Sequence, residues 1–198
     1  MTDEVLFRRE GRLGIATLNR PQVLNALNRS MCDQLHRQLF TWGADPDVEA
    51  VVLEGAGDRA FCAGGDVVAV CKAAKDDMDA YRRFFHDEYR LNQAISAYPK
   101  PYISLIDGIS MGGGAGVSIH GAYRIATERT LFAMPETGIG LIPDVGCSYA
   151  LPRFPGEFGT WLGLTGARLG PADSVAVGYC THYVPSDQIP TLLDRLAH

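Results

Sequence analysis

Apolar residues recur along this chain in two rhythms, one of period two and one of helical spacing, and their succession lays out the elements. Residues 5–9 and Leu13–Leu18 are short β-like runs parted by Gly11, a pattern that predicts a hairpin. Asn19-Arg-Pro21 breaks it. Met31, Leu35, Leu39 and Trp42 then follow helical spacing, with Ser30 as the expected N-cap and Gly43 and Pro46 as the stop. Residues 50–53 form a compact buried-strand run closed by Gly55. A glycine-rich loop, 55–66, leads into a helix expected over 66–75. A longer helix, 78–97, carries Tyr81, Phe84, Phe85, Tyr89, Leu91 and Ile95, and Pro99 and Pro101 end it. Tyr102–Ile106 is an apolar strand feeding the stretch 107–120, where Gly112, Gly113, Gly114 and Gly116 crowd together ahead of a small-residue, helix-like run. Tyr123–Ala126 and Leu131–Ala133 are again β-like, and Pro135 and Pro143 bracket a loop holding Glu136 and Asp144. Short helices are expected at 157–164, 172–177 and 186–196, with a strand at 180–184. Repeated strand–loop–helix units indicate an α/β fold, read as one domain over 1–198 without repeats or linkers.

Composition narrows the partners rather than the fold. The 198 residues, 46% hydrophobic and 21% charged, are those of an ordinary globular protein long enough to bury a core. A net charge of −5 argues against nucleic acid or an anionic membrane surface, while leaving room for a basic patch facing a phosphorylated ligand. Cys32, Cys62, Cys71, Cys147 and Cys180 are odd in number and never form Cys-x-x-Cys. A disulfide scaffold and a zinc site are therefore disfavoured, and a reducing compartment, the cytoplasm, is expected. Met-Thr-Asp-Glu-Val lacks the pattern of a signal peptide, and no apolar run approaches the roughly 20 residues of a membrane span.

Five readings compete for the stretch 107–120. Phosphate loops fit poorly, because Ala122-Tyr123 replaces Lys-Ser/Thr after the spaced glycines and Gly-x-Gly-x-x-Gly is absent. Gly108-Ile-Ser110-Met-Gly112 matches a nucleophile elbow, with Asp144 or Asp173 and His182 in triad order, but no His-Gly oxyanion segment precedes it. The glycines could serve only to pack a helix against a sheet. They could also work with the loop 55–66, each loop aiming one backbone N–H at a common point to form an oxyanion hole, with Gly65 and Gly113 the central candidates. The fifth reading is the same pair of loops binding an acyl ligand without chemistry.

Three ordered segments carry a resemblance that bears on this choice. Ala60-Phe-Cys-Ala-Gly-Gly-Asp66, then Lys100-Pro-Tyr-Ile-Ser-Leu-Ile-Asp-Gly-Ile-Ser-Met-Gly-Gly-Gly-Ala-Gly116, then Phe132-Ala-Met-Pro-Glu-Thr-Gly-Ile-Gly-Leu-Ile-Pro-Asp144 resemble the crotonase (enoyl-CoA hydratase/isomerase) superfamily, in order and spacing from about residue 4 to residue 185. The resemblance implies a spiral of ββα units, an acyl-CoA thioester substrate, and an oxyanion hole built from the N–H groups of Gly65 and Gly113. A hydratase of that superfamily holds water between two glutamates. The first falls at the position of Gly116 and is absent here, whereas the second is present as Glu136. Pro135-Glu-Thr-x-Ile-Gly-Leu-x-Pro-Asp144, Ser110-Met-Gly-Gly-Gly114 and His86-Asp-Glu-Tyr-Arg-Leu-Asn92 are similar to the 3-hydroxyisobutyryl-CoA hydrolase branch.

That branch implies hydrolysis of a short 3-hydroxyacyl-CoA, a step of valine breakdown, with Glu136 and Asp144 catalytic and Glu88 touching the hydroxyacyl end. Glu136 would serve as nucleophile or as base on water. No cofactor or metal is implied, since coenzyme A is part of the substrate. A hydratase or isomerase using Glu136 alone, and a non-catalytic acyl-CoA-binding protein, are the alternatives. The branch also implies C-terminal helices past a point like His198, so the C-terminal helical part of this chain is expected to be short, and homo-oligomerisation is an open expectation. Each residue has a plainer rival role. Glu136 could be a solvated loop residue, Asp144 an N-cap, Glu88 an exposed helix charge, and His120, His182 and Cys62 packing residues.

Overall fold

Past the N-terminal hairpin, apolar strand runs of this chain contribute to a large sheet and then, beyond a turn, to a smaller one. The computed structural model describes residues 3–198, the side chain of Met78 excepted, so the reading of Met1 and Thr2 lies outside it. Strands β1 (Val5–Glu10) and β2 (Leu13–Leu18) make the predicted hairpin. Strand β3 (Ala50–Gly55) is followed by β4 (Ala60–Cys62), β5 (Tyr102–Ile106) by β6 (Ile109–Met111), and β7 (Tyr123–Ala126) by β8 (Leu131–Ala133). The first member of each pair joins a six-stranded sheet in the order β1-β2-β3-β5-β7-β9, where β9 is His182–Tyr183. The second members form a three-stranded parallel sheet, β4-β6-β8. Parallel neighbours need crossovers, and helices run in them: α1 (Arg29–Ala44) between β2 and β3, α2 (Val67–Asp76) and α3 (Met78–Ser96) between β4 and β5, and the short α4 (Gly113–Gly116) between β6 and β7.

The central parallel strands β2, β3 and β5 are buried on both faces, while the edge strands β1 and β9 are largely exposed. Alternation along β2 sends Ala16 and Leu18 into the main core and Leu13 and Ile15 to the opposite face; Val51 and Leu53 against Val52 repeat this in β3. Helix α1 (Arg29–Ala44) covers the main core with Met31, Cys32, Leu35, Leu39 and Trp42. The opposite face is closed by α8 (Ile189–Ala197) through Leu193 and Ala197. Between β8 and β9 lie α5 (Cys147–Ala150), α6 (Phe158–Thr165) and α7 (Pro171–Ala176).

Several expectations need correction. The N-cap of α1 is Asn28, whose Oδ1 accepts from the Met31 N–H at 2.9 Å, so Ser30 lies inside the first turn. Strands β4 and β6 were hidden inside glycine-rich segments, because three residues are too few to show a period. The strand expected over 180–184 narrows to β9, and the helix over 186–196 divides into a 3-10 turn, Ser186–Gln188, and α8.

The two glycine segments pack backbone against backbone. A Cβ at Gly114 would sit 2.1 Å from the carbonyl oxygen of Cys62 in β4. Gly114→Ala is therefore expected to lower the unfolding free energy by about 1–3 kcal/mol through overpacking. Urea titration measures it, and an unchanged midpoint would contradict the close approach.

Candidate active site

Two loops and one helix meet where the small sheet ends. Gly64 and Gly65 follow β4, and Gly112 and Gly113 follow β6, a parallel neighbour, so both turns emerge side by side. A Cβ on Gly113 would lie 3.1 Å from the Gly65 nitrogen, and one on Gly64 would lie 3.7 Å from the Gly113 nitrogen. Gly112 has φ +49° and Gly64 φ +118°, which turn the chain sharply at both points. Neither the Gly65 nor the Gly113 N–H donates to an acceptor among the described residues.

Helix α3 supplies the third wall. Tyr81, Phe84, Phe85 and Glu88 fall on one side of it at helical spacing and, with the two glycine turns, α2 and the stretch 135–145, enclose a cavity of about 530 Å³. Glu88, Glu136 and Asp144 all line it. Glu88 is only 2% exposed, and its Oε1 is 2.5 Å from where a Gly113 Cβ would be. Glu136 opens a 3-10 turn, Glu136–Ile139, is 7% exposed, and brings Oε1 to 2.9 Å from a Cβ at Gly112. Asp144 is half-buried, and its Oδ2 accepts from the Tyr89 hydroxyl at 2.7 Å.

The electrostatics follow from burial, with no cationic partner for these carboxylates among the described residues. Loss of solvent, reinforced by the negative charges of Asp144 and Glu136, pushes Glu88 from the ordinary 4.5 up to about 8. Burial pushes Glu136 up to about 7, with Asp144 adding to the rise and a backbone hydrogen bond opposing it. Asp144 is raised by burial, against the lowering effect of the Tyr89 hydrogen bond. Glu88 Oε1 and Glu136 Oε2 have no hydrogen-bond partner among the described residues. Such groups are costly unless something else satisfies them, which marks the cavity as a polar binding place.

Glu88 carries a stability consequence. Its folded value lies above its unfolded one, so the folded state binds the proton more tightly. The stabilisation is full below pH 4.5 and is lost as pH rises through about 8, at up to about 1.4 kcal/mol per pH unit. Glu88→Gln is expected to flatten that decline and to raise the melting temperature at pH 8. Thermal unfolding across this window checks it; an unchanged slope would contradict the burial of the charge.

The plainer roles fare unevenly. Glu88 is no exposed helix charge and Glu136 no solvated loop residue. Asp144 does not cap α5 with its side chain; its backbone oxygen accepts from the Cys147 N–H at 2.7 Å while the carboxylate turns to Tyr89. Ser110 is fully buried with its hydroxyl 2.7 Å from Tyr179 Oη, and His182 is exposed on β9 beside Thr181, so the serine triad is not assembled. Cys62 is buried in β4, where loss of solvent pushes its thiol up to about 12. His120 bonds the Val145 carbonyl oxygen through Nε2 at 2.8 Å. Sequence reasoning missed Tyr89 as partner of Asp144, and also Asn92, buried with both amide atoms lacking a partner among the described residues. Asn92 lies one helical turn beyond Glu88, a spacing that could have drawn attention to it.

Gly116 has no room for a longer side chain. A Cβ there would sit 2.5 Å from Val145 Cβ and 3.0 Å from Asn92 Nδ2. The space in which a second glutamate would stand is filled by Val145 and Asn92. Among the described residues, no group of three or more His, Cys, Asp or Glu side chains is arranged to hold a metal ion, and no helix is long and apolar enough to cross a membrane.

Paired sheets fed by glycine turns, with backbone donors and carboxylates at their junction, define an α/β protein of the crotonase fold. The chain belongs to the enoyl-CoA hydratase/isomerase family, whose model matches residues 13–198. It is 52% identical over 189 residues to the mitochondrial 3-hydroxyisobutyryl-CoA hydrolase of Danio rerio, a match covering 96% of this chain and 50% of that protein. Among solved structures it superposes with a TM-score of 0.95 on a carnitinyl-CoA dehydratase from Mycobacterium thermoresistibile, at 49% identity, covering 99% of this chain and 58% of that one. An enoyl-CoA hydratase from Rhodobacter sphaeroides 2.4.1 also gives 0.95, at 44% identity, with 98% and 58% covered. The chain thus spans about half the length of the curated relatives it matches.

Proposed function

We propose that the site hydrolyses a short 3-hydroxyacyl-CoA thioester, 3-hydroxyisobutyryl-CoA being the first candidate. The observation that carries the reading is the convergence of Glu88, Glu136 and Asp144 on a cavity that also receives two unpaired backbone N–H groups. The Gly65 and Gly113 N–H groups polarise the thioester carbonyl and take up the charge that develops on its oxygen. Glu136, raised towards neutrality, either attacks the carbonyl carbon or removes a proton from the attacking water. The carbon–sulfur bond breaks, coenzyme A leaves as the thiol, and the elements of water complete the hydroxy acid. Asp144, held by Tyr89, orients the water or the Glu136 carboxyl. Glu88, largely protonated at neutral pH, donates to the hydroxyl of the acyl group.

The packing at Gly116 supports hydrolysis over hydration, because the second glutamate that two-carboxylate water addition needs has no space there. Release of thiol from 3-hydroxyisobutyryl-CoA, compared with 3-hydroxypropionyl-CoA and crotonyl-CoA, tests the reading. Preference for the hydroxyacyl thioesters is expected. If free coenzyme A forms no faster than without protein, the hydrolase reading falls.

Self-association is part of the same proposal. Ile142, Tyr149, Trp161 and Leu164 are exposed apolar side chains within the stretch 142–164, and association with another chain would cover them. Sedimentation velocity is expected to show species larger than the monomer at micromolar concentration, and a strictly monomeric profile would remove this part.

A further inference from the structure

The turn that carries Asp144 to the cavity wall is strained and is held by the segment that begins with Gly113. Val145, the next residue, has φ +45°, a conformation that a β-branched side chain rarely adopts. Gly146 follows with φ +80°. Two contacts reach Val145 from the segment that begins with Gly113. The Val145 side chain is buried in the hollow left by the absent Cβ of Gly116. Its carbonyl oxygen accepts a hydrogen bond from His120 Nε2 at 2.8 Å. A carbonyl can only accept, so Nε2 bears the hydrogen. The imidazole edge lies where a Cβ of Gly146 would be, 2.4 Å from Cε1 and 2.5 Å from Nε2, so the ring and the glycine require each other.

We propose that His120 is a positioning residue: by holding Val145 in the left-handed conformation it directs the Asp144 carboxylate into the cavity and against Tyr89. The same short segment then presents the Gly113 N–H at one end and fixes the carboxylate turn at the other, so both are set by one rigid piece. The proposal rests on the reading of Asp144 as part of the hydrolytic site, and its test separates the two. His120→Leu removes the donor, whereas His120→Gln keeps an N–H at similar reach.

With 3-hydroxyisobutyryl-CoA, His120→Leu is expected to lower kcat on the order of 10²-fold with KM little changed, the size of effect a displaced reacting group produces. His120→Gln is expected to restore most of it. In an Asp144→Asn background, His120→Leu should add nothing further, because it acts through that carboxylate. Hydrogen exchange supplies a readout independent of activity: the Cys147 N–H, which donates to the Asp144 carbonyl, should exchange about tenfold faster in His120→Leu. Unchanged exchange, wild-type kcat in His120→Leu, no recovery in His120→Gln, or an undiminished loss in the Asp144→Asn background would each overturn the proposal. If Asp144→Asn itself hydrolyses thioester normally, the reading of the site fails, and the exchange result alone decides the clamp.

Discussion

Replacing Glu136 by glutamine is expected to slow the release of coenzyme A from 3-hydroxyisobutyryl-CoA by about 10²–10⁴-fold, whether the carboxylate attacks or acts as base. The substitution keeps the volume and removes the negative charge, so the fold should survive it. Removal of a buried, poorly partnered charge should leave the melting temperature unchanged or higher. The pH profile gives a sharper test. Burial places Glu136 at about 7, so the ionised fraction, and with it kcat/KM, should rise as pH passes through neutrality. The residual rate of the glutamine variant should lose that rise. Full activity in Glu136→Gln would leave hydrolysis standing as a class but remove Glu136 from it.

Gly113→Ala is the second large effect, expected to cost about 10²–10³-fold in kcat, as loss of one oxyanion donor does. The N–H itself remains; what changes is the space in front of it. The new Cβ would lie 2.5 Å from Glu88 Oε1 and 3.1 Å from the Gly65 nitrogen. Glu88 or the Gly65 turn must move, and two N–H groups that converge on one oxygen no longer do so. Ground-state affinity should change less than kcat, because the lost interaction strengthens as the oxygen gains charge. The ratio of kcat to binding of a non-hydrolysable thioether analogue separates the two terms. Wild-type kcat in Gly113→Ala would exclude the oxyanion reading of this turn.

Family membership was legible in the linear order of three segments, and the candidates Gly65, Gly113, Glu136 and Asp144 were legible with it. Their environment was not. Glu136 after Pro135 reads as an ordinary loop residue, and only the enclosure of its turn by the cavity walls makes it a carboxylate titrating near neutrality. Glu88 falls on the apolar stripe of Tyr81, Phe84, Leu91 and Ile95, a spacing that sets it apart from Asp87, which pairs with Arg29 at 2.6 Å. That this face closes a cavity shared with two more carboxylates is not in the helix pattern. The nucleophile elbow failed for a related reason. A five-residue match says nothing about which way Ser110 points, and in β6 it points to Tyr179, 69 positions later.

Residues close in the chain settled the elements by themselves: the hairpin of β1 and β2, the apolar faces of α1 and α3, the strands β3, β5 and β7, and the sharp turns at the glycines. These depend on backbone freedom and on periodicities of two and 3.6, which are local properties. Tertiary structure decided what depends on distance through space. It set the pairing of β4 with β6 that brings two glycine turns together, and the filling of the Gly116 hollow by Val145. It also joined Tyr89 to Asp144 across 55 positions and His120 to Val145 across 25. The cost of burying a charge and the geometry of a hydrogen bond are properties of the folded neighbourhood, which no local window of residues contains.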